Sequence, residues 1–167
     1  MQNPSHGYAT PGTYTVSLTA TNEAGAQTVT KTNFISVFTP VVAGFTASPT
    51  VGIAPFTVTF TNTSTGATTY SWDFGDGGNS TVANPTHDYT VGGSYTVTLT
   101  ATGPGGTDTD TVGITANSAV TPSFTMQVSG ANITSAYSTT SITFTSTSTG
   151  SINSFAWDFD NNPGTTE

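Results

Sequence analysis

The stretch Trp72-Asp73-Phe74-Gly75-Asp76-Gly77 decides how this chain is read, because it returns near the far end as Trp157-Asp158-Phe159-Asp160-Asn161-Asn162. Downstream of it, Asn84-Pro85-Thr86-His87-Asp88-Tyr89 echoes Asn3-Pro4-Ser5-His6-Gly7-Tyr8, and the run from Tyr95 to Ala101 echoes Tyr14 to Ala20. The offsets are about 85 residues between the tryptophans and about 81 between the tyrosines. That period is too long for a solenoid unit and suits a small module that folds by itself. Carried onto the middle copy, both ends of the sequence fall at Val82. The expected organisation is a C-terminal half module over 1–38, a complete module over 44–116 and an N-terminal half module over 121–167. Short proline-bearing linkers, Thr39-Pro40-Val41-Val42 and Ser118-Ala119-Val120-Thr121-Pro122, are expected to join them into an extended string.

Alternation of period two runs through all three parts. Tyr95, Val97, Leu99 and Ala101 take one face of a segment whose other face is Thr96, Thr98 and Thr100. Tyr14, Val16, Leu18 and Ala20 repeat it, and Phe56, Val58, Phe60 and Tyr70, Trp72, Phe74 form further stripes, with Ile142 and Phe144 echoing the first of these. Such patterns predict half-buried antiparallel strands, separated by turns at Pro11-Gly12, Gly92-Gly93 and Gly103-Pro104-Gly105-Gly106. No segment carries a sustained helical stripe, so the expected fold class is all-β. The predicted core of the middle module is Phe45, Val58, Phe60, Trp72, Phe74, Tyr89, Tyr95, Val97, Leu99, Val112 and Ile114.

Composition narrows the function classes. One lysine, Lys31, stands against nine acids for a net charge of −8. A phosphate-backbone binder needs clustered Lys or Arg, which excludes nucleic acid as a partner and disfavours an anionic membrane surface. No apolar run approaches the ~18 residues of a spanning helix, so membrane insertion is not expected. No signal peptide is expected after Met1, which lacks a basic and then apolar region behind it. There is no cysteine, hence no disulfide or thiolate metal site. Roughly a quarter of the residues are threonine, which favours strands and wets a strand face without charge, a surface suited to an extracellular array.

The three-part pattern resembles the PKD (polycystic kidney disease) domain, whose marks are a W-D-F-G-D-G strand end, an N-P-x-H-x-Y stretch and a G-x-Y-x-V-x-L-x-A-x-N strand. Here they stand at Trp72 to Gly77, Asn84 to Tyr89 and Gly93 to Ala101. The resemblance implies immunoglobulin-like antiparallel β-sandwich modules in tandem, from a bacterial or archaeal surface protein, located outside the cell or at its surface. It marks Trp72, Asp73, Phe74, Asp76, His87, Tyr89 and Tyr95, with Trp157, His6, Tyr8 and Tyr14 in the partial copies, as structural signature residues. The last copy departs from the pattern at Asp160-Asn161-Asn162, where Gly75-Asp76-Gly77 stands in the middle one.

Few residues suggest chemistry. His6 and His87 recur at one place in two repeats and are the chain's two histidines, so a structural hydrogen bond in a turn is expected of them rather than catalysis. Asp73 and Asp76 are expected to accept backbone N–H groups in a glycine-rich turn. Asp158, Asp160 and Asn162 space oxygens at alternate positions, followed by Gly164 and Glu167, in the manner of a calcium loop. The glycine comes one position late and the acid early, so a polar turn is the plainer expectation, with calcium the one candidate cofactor. Asn62, Asn79 and Asn132 open N-x-S/T triplets, and Asp110-Thr111-Val112 is similar to an O-glycosylation acceptor, matches that chance supplies in a threonine-rich chain.

Two function classes follow. The first is a structural segment of an extracellular fibre, stalk or adhesin, with modules head to tail and the terminal halves completing one sandwich between successive copies. The join is made either by adjacent repeats of one long chain or by strand complementation between separate chains. The second is an accessory binding module of a secreted hydrolase recognising polysaccharide or protein, with a glycan or surface ligand as partner. It requires outward aromatics, for which Phe38 and Tyr137 are the candidates.

Overall fold

A computed structural model describes residues 3–128, 131–132 and 142–159. Among them every regular element is a strand: β1 (Gly12–Asn22), β2 (Gly25–Val37), β3 (Phe45–Ser48), β4 (Val51–Ile53), β5 (Phe56–Asn62), β6 (Thr69–Asp73), β7 (Asn79–Ser80), β8 (Thr86–Tyr89), β9 (Gly93–Gly103), β10 (Gly106–Asn117), β11 (Phe124–Val128), β12 (Ala131–Asn132) and β13 (Thr143–Ser146). Two sheets make the middle module, one ordered β4-β10-β9-β6-β7 and one ordered β3-β5-β8. The remaining strands form a β1-β2 hairpin and a sheet ordered β12-β11-β13. No described helix is long and apolar enough to cross a membrane.

Residue contacts group the chain into two compact units, one of Met1–Ser48, Thr59–Thr86 and Thr96–Val112, the other of Pro49–Val58, His87–Tyr95 and Gly113–Glu167. In the first, Phe45, Phe60, Trp72 and Phe74 form an aromatic core, with Trp72 edge-on to Phe45 at 4.9 Å and Phe60 against Phe74 at 5.4 Å. In the second, Tyr89 stacks on Tyr95 at 4.6 Å and meets Phe56 at 6.0 Å.

The alternating stripes are buried as their period dictates. Val58, Phe60, Trp72, Phe74, Tyr89, Val97, Leu99, Ala101 and Ile114 are inside. Two expected core residues are only half-buried, Tyr95 and Val112. Tyr95 stays partly out because its hydroxyl donates to the Val91 carbonyl at 2.8 Å, an amphipathic placement usual for tyrosine. The expected all-antiparallel pairing also needs one amendment: β4 joins β10 in parallel, Thr115 opposite Val51. Nor is Val41-Val42 a free linker. Val41 is buried, and Val42 bridges to Thr65 with N–H···O bonds of 3.0 and 2.9 Å in both directions.

Asp108 and Asp110 of β10 hold the chain at its entry into β3, at Ala43 and Phe45. The Asp108 carboxylate accepts the Ala43 N–H at 2.9 Å and the Asp110 carboxylate accepts that of Phe45 at 3.3 Å. A half-buried N–H that loses its acceptor costs about 1–3 kcal/mol. Asp108→Ala is therefore expected to lower the stability of the middle module by about 1–2 kcal/mol in urea denaturation. A midpoint equal to the wild type would show that water replaces the carboxylate without loss.

Candidate functional site

The signature residues build local turns and ring contacts. The Asp73 carboxylate accepts the Gly75 N–H and that of Asp76 accepts the Gly78 N–H, each at 2.9 Å, so both aspartates close tight turns after β6. The Trp72 indole N–H donates to the Val82 carbonyl at 2.9 Å. Pro85, which has no N–H to give a ladder, stands just ahead of β8 with its carbonyl accepting from Phe60 at 2.9 Å, while the Asn84 side chain accepts the Asn62 N–H at 2.8 Å. His87 does not sit in a turn as expected. It lies in β8, with its ring edge-on to Tyr89 at 4.9 Å and 83°.

The partial copies carry the same constellations. In the first, His6 meets Tyr8 at 4.7 Å and 84°, Tyr8 meets Tyr14 at 4.4 Å, and the Tyr14 hydroxyl donates to the Thr10 carbonyl at 2.6 Å. In the last, Trp157 stands edge-on to Phe124 at 5.5 Å and Phe144 meets Phe159 at 5.1 Å, repeating Trp72 with Phe45 and Phe60 with Phe74. The polar contacts repeat too. The Ser123 N–H donates to the Ser148 hydroxyl at 2.9 Å as that of Gly44 does to Ser64 at 3.2 Å, and Thr121 bridges to Thr149 as Val42 does to Thr65.

Burial separates the copies. Val97 and Leu99 are 0% exposed, whereas their counterparts Val16 and Leu18 are 39% and 65% exposed. Phe124 and Phe159 are 58% and 56% exposed, and Trp157 is half-buried. These last three, with Phe144, line a groove of about 400 Å³. The candidate functional feature is thus an apolar hairpin face at one end of the sequence and an apolar groove near the other.

Asp158 is exposed, and the other two members of the calcium candidate, Asp160 and Asn162, lie outside the described residues. Among the described residues no three His, Asp or Glu side chains come close enough to hold a metal ion. Of the two candidate outward aromatics, Phe38 is exposed and Tyr137 lies outside the described residues. The stapling role of Asp108 and Asp110 was not read from the sequence; their placement on a strand otherwise free of charge was the available signal.

A two-sheet, all-β module whose marked residues make turns and core contacts defines the immunoglobulin-like β-sandwich class. The family model described as PKD domain matches residues 1–37 and 38–117, and the chain belongs to the PKD domain family. Over 42 residues it is 60% identical to the pre-pro-metalloprotease PrtV of Vibrio cholerae, a stretch covering 25% of this chain and 4% of that protein. The chain thus spans only a small fraction of the curated relative it matches. The PKD1 domain of Vibrio anguillarum Epp is 32% identical with a TM-score of 0.42, covering 48% of this chain and 96% of its own. The PKD1 domain of the Vibrio cholerae metalloprotease PrtV is 38% identical with a TM-score of 0.41, covering 47% of this chain and 98% of its own.

Proposed function

We propose that this chain is a structural segment of an extracellular fibre, stalk or adhesin of a bacterium, built from PKD modules in succession and acting without catalysis. The observation that carries the reading is the placement of aromatic side chains. Every Phe, Trp and Tyr of residues 44–116 is buried or half-buried, and the outward positions of β5 and β9 are threonine or serine. A module that grips an insoluble glycan needs aromatic faces turned to the solvent, and the middle module turns them inward. What remains is a bead whose use is length and contact with its neighbours. Successive copies bring a hairpin-bearing half and a groove-bearing half together as one sandwich.

The likeness to a pre-pro-metalloprotease supports a second reading, an accessory binding module of a secreted hydrolase. Incubation with insoluble cellulose, chitin and casein separates the two. The structural reading expects the chain to stay in the supernatant and no product to form. Depletion onto one of these solids would favour the binding module. Turnover that vanished in the His6→Ala/His87→Ala double variant would overturn the non-catalytic reading altogether.

A further inference from the structure

We infer that the passage from Asn117 to Ser118 is a locked joint and not a hinge, so that the end of the middle module carrying β4 and Gly92 moves as one body with residues 118–151. The inference goes beyond the reading above and holds for a stalk and for a binding module alike.

The sequence places a linker at Ser118-Ala119-Val120-Thr121-Pro122, and relative motion is the default across such a segment. The structure leaves no slack in it. Asn117 is the last residue of β10, opposite Ile53 of β4, and its carbonyl accepts the Ala54 N–H at 2.8 Å. Ser118 follows at once and is held from the other side. Its N–H donates to the Ser151 hydroxyl at 3.1 Å, and its carbonyl accepts the Ser151 N–H at 3.1 Å. Further on, Thr121 and Thr149 exchange N–H···O bonds of 2.8 and 3.0 Å. A hinge needs residues whose backbone groups are free to change partners as the torsions turn. Here a residue bonded on one side is followed directly by a residue bonded on the other, with none between them. All of these residues belong to the second compact unit.

Two glycines seat the backbone of the joint. Gly92, in the turn between β8 and β9, is half-buried, and a Cβ there would fall on the Ser118 Oγ and lie 3.0 Å from the Ser118 nitrogen. Gly150 has a φ of +108°, and a Cβ there would run into the Ala119 carbonyl and lie 2.7 Å from the Val120 Cα. Residues 118–120 therefore rest against bare backbone at both places, with no side chain to act as a yielding spacer. The segment ahead of the middle module is seated in the same way. Gly66 stands where Gly150 does, with a φ of +73°, and a Cβ there would lie 2.6 Å from the Pro40 carbonyl oxygen. The seat thus recurs in two copies of the repeat. A stalk joined in this manner passes a bend or a pull across the joint instead of absorbing it.

The test measures the spread of one distance across the joint in the whole chain. The chain has no cysteine, so an introduced pair gives the sole thiols for nitroxide labels. Ser94→Cys and Thr145→Cys place labels at exposed strand positions on either side, and Ser94→Cys with Thr107→Cys gives a reference pair inside the middle module. Pulsed dipolar spectroscopy should find the distribution across the joint as narrow as the reference. Gly92→Val, which crowds Ser118, and Ser151→Ala, which removes the acceptor of its N–H, should each at least double that width. Gly113→Val is the control and should leave it narrow, because a Cβ at Gly113 meets nothing within 4 Å. Circular dichroism melting shows whether each variant keeps the middle module folded. If Gly92→Val does not fold, Ser151→Ala decides alone, since Ser151 is exposed and outside the core. A wild-type distribution much broader than the reference would overturn the inference, and so would folded joint variants as narrow as the wild type.

Discussion

Trp72→Ala is expected to destabilise the middle module by ~3–5 kcal/mol, the range for removing a large buried aromatic side chain. Trp72 is 1% exposed and contacts two rings, Phe45 edge-on at 4.9 Å and Phe60 tilted at 5.5 Å. Its removal leaves a cavity that the flanking strands cannot close, because β6 is fixed to β9 by backbone pairing at this residue. It also strips the Val82 carbonyl of the indole N–H that it accepts. A small domain is stable by only about 5–15 kcal/mol, so this single change removes much of the margin. Urea denaturation followed by circular dichroism checks it. Trp72→Phe keeps most of the volume and loses the N–H, and should cost only about 1–2 kcal/mol. If the alanine variant cost less than the phenylalanine one, the indole would not be a packing element of the core.

Gly75→Ala is expected to cost about 2–4 kcal/mol, from left-handed backbone conformation and a collision with fixed backbone together. Gly75 has a φ of +81°, and a Cβ there would lie 2.6 Å from the Thr96 carbonyl oxygen and 3.0 Å from its nitrogen. Those atoms belong to β9 and cannot swing away as a flexible side chain would. Gly77 supplies the control. Its φ is +94°, and a Cβ there would meet nothing within 4 Å, so Gly77→Ala should cost only the conformational part, about 1–2 kcal/mol. Equal losses in the two variants, measured by the same denaturation, would show that the approach to Thr96 carries no energetic weight. In the last copy Asp160 stands where Gly75 does, outside the described residues.

The inside and outside of the strands were legible in the sequence. Val97, Leu99, Ala101, Trp72 and Phe74 are buried, and Thr96 and Ser71 are not, because a pleated strand turns successive side chains to opposite faces whatever its neighbours are. The repeat was legible for the same reason, since equal patterns form equal elements: the ring contacts of Trp157 and of Tyr14 reproduce those of Trp72 and Tyr95. Pairing between distant segments was not legible. That β4 runs parallel to the end of β10, that Val41 is drawn into the core, and that Asp108 and Asp110 hold Ala43 and Phe45 all depend on residues far apart in the chain. The depth of burial belongs with them. Leu18 and Leu99 sit in matching sequence, yet one is exposed and the other enclosed, because alternation says which face a residue takes and only a second layer of strands decides whether that face meets water.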